Sequence, residues 1–263
     1  MAESNMKRII KDFGCHAEKG KNDKTRWLNT KIGWQYYAQH SPQNIVDKLG
    51  LIEKEARSCS NWQYKEPVHE EKRMRINPEV AINLGKRGEQ NREVYVERYI
   101  AKHDINMCNQ WCVGANSKES IDLVYKNGDS YTLIELKVSG YEGKGTYTPP
   151  FALIEVIKNY YLAKKFNKNI KVKELAILST KNFYAKFAKD KNSINKFLSD
   201  KEKLSSKIGK PINLYYLDID ESKLIENLKK DKSIPEISFK NWSKNKINTI
   251  KDWENTTKAE VTC

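Results

Sequence analysis

Asp122, Glu135 and Lys137 are the residues whose types and spacing best suit chemistry. They fall within IDLVYKNGDSYTLIELKV (121–138), which reads as two short strands joined by a tight turn. Asn127-Gly128 marks the turn, because both residues tolerate the positive φ of a primed hairpin turn. A two-residue loop pairs Lys126 with Asp129 and sets Asp122 diagonal to Glu135. A four-residue loop pairs Lys126 with Tyr131 and sets Asp122 directly opposite Glu135. Both registers leave Asp122, Glu135 and Lys137 on one face, since side chains alternate along a strand; only an odd loop separates them. Two neighbouring carboxylates repel unless a cation lies between them. A hard ion such as Mg²⁺, with Mn²⁺ as substitute, takes carboxylate oxygens and keeps several waters. Lys137 would face the same water and a scissile phosphate, an apparatus for metal-assisted phosphodiester hydrolysis. The plainer alternative is an amphipathic hairpin with a solvated polar face. Against it, the rest of that face is apolar (Val124, Tyr131, Leu133). The opposite face, with Ile121, Leu123, Ile134, Leu136 and Val138, is expected to be core.

The flanking segments decide what holds these groups. Residues 85–101 read as a helix and 107–113 as a strand before the hairpin. Residues 150–166 read as a second helix opened by Pro149-Pro150, and 174–180 as a buried strand. Further on, a helix is expected near 183–208, a strand at 212–218 and a helix near 221–230. In the N-terminal part, 41–59 begins with a Ser cap and Pro, carries apolar residues at helical spacing and has Gly50 as a break. It suits either a helix-turn-helix with 51–59 as reader or a helix packed on the core.

Asp122, the Glu135-x-Lys137 pair and this order of elements resemble the PD-(D/E)XK nuclease superfamily, which includes many restriction endonucleases and junction resolvases. The resemblance covers roughly 85–180, about a third of the chain. It implies an α/β fold with a restriction-endonuclease-like αββαβ core, a central mixed sheet flanked by helices, plus N- and C-terminal additions. It implies that Asp122 and Glu135 bind the metal and that Lys137 positions or activates water. Many members add a glutamate from the first helix. Glu89, in the first turn after Gly85-Lys86-Arg87-Gly88, is the choice for metal and catalysis, and Glu93, one turn on, is the reserve. Either acid could instead stabilise the helix N-terminus. The chain departs from the family pattern in having Ile121, not Pro, before Asp122. It also lacks the Gln-centred motif of the RecB-like branch on the second helix, where Glu155 to Tyr161 stand.

The composition fits a polyanionic partner. The 263 residues carry 48 Lys and Arg against 34 acids, a net charge of +14. Such an excess favours nucleic acid, although the abundance of Lys, Asn and Ile is also the mark of an AT-rich genome. The loop SGYEGKGTYTPP (139–150) follows the Glu-x-Lys strand and offers Tyr141, Lys144 and Tyr147 to DNA. Lys118, in the GANSKESIDLV approach to the hairpin, and Lys158, on the second helix, are further contacts. Without a partner, the loop is a plain connection. Trp242 and Trp253 either stack on bases or anchor the C-terminal part to the core, and anchoring is the favoured role.

No run of 18 apolar residues exists, so no membrane span is expected. The N-terminus has no apolar leader, and five scattered cysteines fit a reducing cytoplasm better than a disulfide framework. Cys108 and Cys112 lack a second close pair for zinc and are read as core thiols. Three regions result: 1–80, a mostly helical accessory region; 81–220, the nuclease-like core; and 221–263, a basic helix and tail packed on it. The function expected is a Mg²⁺-dependent endonuclease of double-stranded DNA, of type II restriction or phage-defence kind, acting as a homodimer. The alternatives are a structure-specific junction or repair nuclease and a non-catalytic DNA-binding protein on a nuclease-like fold.

Overall fold

The computed structural model describes residues 34, 37, 45–58, 93, 96–112, 120–138, 148–166, 168–230, 232 and 234–257. They form an α/β fold built on one open five-stranded mixed sheet. The elements are α1 (Leu49–Ser58), a helix α2 described at 93 and 96–103, β1 (Met107–Cys112), β2 (Ser120–Asn127) and β3 (Ser130–Lys137). Then come α3 (Pro149–Phe166), β4 (Lys171–Thr180), α4 (Lys181–Phe187), α5 (Lys191–Ile208), β5 (Ile212–Leu217) and α6 (Glu221–Lys229). A 3₁₀ turn (Pro235–Ile237) and two short helices, α7 (Phe239–Trp242) and α8 (Ile250–Asn255), follow.

The strands lie in chain order, β1-β2-β3-β4-β5. The first three are antiparallel neighbours and the last two run parallel to β3. This division follows from the connections. A tight turn can join only antiparallel strands, whereas parallel neighbours need a crossover, supplied by α3 and then by α4 and α5.

In the β2–β3 hairpin Lys126 lies across from Tyr131 and Asn127 across from Ser130. Of the two registers open to the sequence, this is the one that puts Asp122 opposite Glu135. The turn is centred one residue later than expected. Gly128 and Asp129 are its central pair, with Gly128 at φ +58° and Asp129 outside the positive-φ region. A glycine alone at positive φ in the first central position is the type II′ pattern, so Asn127 is free to stay in the ladder.

Helices cover both sheet faces. On one face, Val124, Leu133, Leu175 and Ile177 pack beneath α3, α1 and α5. On the other, Leu123, Ile134, Leu136 and Leu178 pack against Val96 and Ile100 of α2 and Leu224 of α6. The expected core face is thus present, with one exception: Ile121 joins the first core, not that of Leu123. The strand pair is distorted between them. Gln110, the residue of β1 that lies between the Asn109–Leu123 and Trp111–Ile121 pairs, has φ +47°. A long side chain rarely adopts that conformation.

The helix expected near 183–208 is two helices. Thr180 caps α4 by accepting from the Phe183 N–H, and Asp190 caps α5 by accepting from the Ser193 N–H. A mid-segment Asp that can satisfy an orphan N–H starts a new helix, and this ends the continuous reading. Gly50, expected as a break, lies within α1. The apolar face of α1 is spent on packing, with Ile52 and Ala56 fully buried against α3. Trp34 and Tyr37 also enter this core. Trp34 Nε1 donates to the Phe187 carbonyl at 3.1 Å, and the Tyr37 hydroxyl to Asp200 at 2.7 Å. Trp253 stacks on Trp34 and donates to the Tyr184 carbonyl at 2.8 Å. Trp242 is equally buried in the second core. Both tryptophans therefore anchor the C-terminal part, as expected. Cys108 is a buried free thiol.

Candidate functional site

The site lies where β3 ends and β2 begins, at one end of the central strands between α2 and α3. Alternation puts Glu135 and Lys137 on the face of β3 that also carries Leu133, toward α3. The Lys137 ammonium is surrounded by acids. Its Nζ lies 2.6 Å from Glu135 Oε1, 3.0 Å from Glu155 Oε2 and 3.3 Å from Glu93 Oε1. Asn159, one turn beyond Glu155 on α3, donates from Nδ2 to Glu135 Oε2 at 3.1 Å. Glu93 also accepts from the Val138 N–H at 3.3 Å. Ser179 of β4 donates to the Lys137 carbonyl and ties the strand end to its parallel neighbour.

Asp122 accepts from the Leu136 N–H at 2.9 Å, a bond that fixes its carboxylate beside the Glu135 strand. Glu97 accepts from Gln110 Nε2, and Gln110 Oε1 accepts in turn from the Ser120 hydroxyl at 2.8 Å. The unusual backbone of Gln110 thus turns its amide toward Glu97. The three carboxylates Glu93, Glu97 and Asp122 each offer an oxygen within 4.8 Å of the other two. In an octahedron with bonds of ~2.1 Å, opposite ligand oxygens stand about 4.2 Å apart. Three carboxylates at this spacing could hold a metal ion.

Five acids gathered around Lys137 make an excess of negative charge, and the acidities show its cost. Burial raises Glu97 to about 8, and the carboxylates of Glu93 and Glu135 add to the rise. Burial and then Asp122 raise Glu135 to about 8, and burial and then Glu135 raise Glu155 to about 8. Burial, followed by Glu97, pushes Asp122 well above the usual carboxylate range. Glu93 is raised chiefly by burial. Burial works against the Lys137 ammonium, but Glu135, Glu155, Glu93 and Asp122 together hold its pKa well above the ordinary value. Lys137 is thus charged at neutral pH. Protons, or a metal ion in their place, could offset this excess of negative charge.

Asp122, Glu135 and Lys137, the trio singled out from spacing, are brought together. Glu93, the reserve acid, joins them. Glu89, Lys118, Tyr141, Lys144 and Tyr147 lie outside the described residues. Lys158 is 6% exposed and sits beside Glu155. Among the described residues the acid triad is Glu93, Glu97 and Asp122, while both Glu135 oxygens are engaged by Lys137 and Asn159. Glu97, Gln110, Glu155 and Asn159 went unnoticed as site residues. Two signals could have found three of them: Glu97 stands four residues after Glu93, and Glu155 and Asn159 are spaced one turn apart on α3.

Compared with known proteins, the chain matches no protein-family model, no curated protein and no solved structure. Among the described residues no helix is long and apolar enough to cross a membrane.

Proposed function

We propose that this chain is a Mg²⁺-dependent endonuclease of PD-(D/E)XK type that hydrolyses double-stranded DNA, as a restriction or phage-defence enzyme. The observation that carries this is the meeting of Asp122, Glu135 and Lys137 with two helix-borne acids at one end of the central strands. The element order supports it: a helix, a three-stranded antiparallel meander, a helix and a parallel strand. The charge of +14 supports a polyanionic substrate.

Glu93, Glu97 and Asp122 would hold the ion. When bound, it polarises a phosphoryl oxygen and makes its water a stronger nucleophile. The chain's own groups do the positioning. Lys137, held protonated, would donate hydrogen bonds to the attacking water or the phosphate and would not act as base. Glu135 fixes that ammonium, and Asp122 is itself fixed by the Leu136 N–H. One such site cuts one strand, so a homodimer related by a two-fold axis would cut both.

The experiment is incubation of plasmid and random-sequence linear DNA with the chain in Mg²⁺, Mn²⁺ or EDTA. Discrete, metal-dependent fragments are expected, with loss of at least about 100-fold in rate for Asp122→Asn and for Glu135→Gln. Retention of DNA without cleavage would make the chain a binding protein. Cutting confined to branched substrates would make it a junction nuclease. Undiminished cleavage by either variant would remove the site assignment.

A further inference from the structure

Asn159 is a buried amide whose carbonyl oxygen has no donor among the described residues. It is 2% exposed, and its Nδ2 donates to Glu135. Its Oδ1 accepts nothing from any described residue. A buried carbonyl oxygen without a donor is costly, so a partner for it is to be expected. Glu155, four residues earlier on the same helix, shares Lys137 with Glu135. Together these two side chains form the α3 wall of the cluster, opposite the α2 wall that carries Glu93 and Glu97.

We infer that Asn159 is a positioning residue that holds Glu135 through its NH₂ and offers Oδ1 to a water of the hydrated divalent ion. This rests on the nuclease reading only for the reaction served; the metal-water contact stands or falls separately. The chemistry is that of a strongly hydrated cation. Mg²⁺ and Mn²⁺ keep several waters when bound by few carboxylates, and each such water has protons to donate. An amide fits both tasks at once, because it donates to a carboxylate on one side and accepts from water on the other. An apolar residue here would leave Glu135 Oε2 and the water without partners. A carboxylate would keep the acceptor but lose the donor.

The test uses the full chain and two variants, Asn159→Ala and Asn159→Asp. Mn²⁺ uptake is measured by calorimetry without DNA, and cleavage of random-sequence DNA is measured at saturating Mn²⁺. Removal of an outer-shell partner weakens metal binding by about 10–100-fold, which is the loss expected for Asn159→Ala. Asn159→Asp, with its acceptor kept and a negative charge added, should hold Mn²⁺ at least as tightly as the wild type. It should still cut about 10-fold or more slowly, because Glu135 has lost its donor. A purely packing role predicts that the two variants behave alike toward Mn²⁺. Wild-type Mn²⁺ affinity in Asn159→Ala, or equal weakening in both, overturns the inference. Melting in EDTA reports whether each variant folds, and if Asn159→Ala does not, slowed cleavage with intact Mn²⁺ binding in Asn159→Asp decides. Variant shifts in Mn²⁺ affinity with no cleavage by the wild type keep this inference and overturn the nuclease reading. A wild-type chain that takes up no Mn²⁺ overturns both.

Discussion

Replacing Lys137 by Met is expected to destabilise the chain as well as to stop cleavage. Met matches the length of the buried stem but removes the one ammonium at the centre of the cluster. Lys137 is 4% exposed at its side chain, and three carboxylates lie within 3.3 Å. Taking one partner from a buried ion pair costs about 3–5 kcal/mol. At about 2–4 °C per kcal/mol for a domain of this size, the melting temperature in EDTA should fall by about 6–20 °C at pH 8.5. The deficit should shrink on acidification. Glu97, Glu135 and Glu155 have folded-state pKa values of about 8 against 4.5 for free groups. The folded chain therefore keeps protons that the unfolded chain releases between those values. Their contribution is fully present below about pH 4.5 and is lost as pH rises through about 8. Without Lys137 the same carboxyls are pushed higher still, and the loss with rising pH steepens. Calorimetric scans at pH 6 and 8.5 check this. A variant that melts within about 2 °C of the wild type at pH 8.5 would refute the placement of Lys137 as the counter-ion of the cluster.

Three further outcomes follow from the same geometry. Mg²⁺ should raise the melting temperature more at pH 8.5 than at pH 6.5, because at the lower pH the ion must displace protons from Glu93, Glu97 and Asp122, all raised by burial and Glu97 to about 8; an equal or larger rise at pH 6.5 contradicts the cluster's acidities. Trp253→Ala should cost about 3–5 kcal/mol in a denaturant titration, since the ring is fully buried against Trp34, Tyr184 and Phe197; a loss under about 1 kcal/mol would mean that this contact is not part of the core. DNA retention measured in Ca²⁺ should weaken with salt at a log–log slope of about −5, as expected if about six cations meet phosphates. A flat response would remove the electrostatic argument for the partner.

Much of the fold was legible because its signals are local. The period-two alternation of 121–138 put Asp122, Glu135 and Lys137 on one face whatever the even loop length, and the structure keeps them together. Pro149 and Pro150 opened α3 as expected. The misreadings were also local. The hairpin turn shifted by one residue because glycine takes positive φ more readily than Asn127 does. The helix near 183–208 broke because Asp190 satisfies a backbone N–H that a continuous helix would have bonded elsewhere.

Strand and helix identities, the shared face of the three polar groups and the basic character of the chain were settled by the order of residues alone. Tertiary structure decided who balances Lys137. Glu93 reaches it from α2 on one sheet face and Glu155 from α3 on the other, Asn159 holds Glu135 beside it, and Gln110 turns toward Glu97 only through a distorted strand. These groups are separated by up to 66 positions, as 93 is from 159. Their acidities depend on burial and on distances of a few ångströms. Both arise when two helices close over one end of the central strands, and no periodicity within a single segment encodes them.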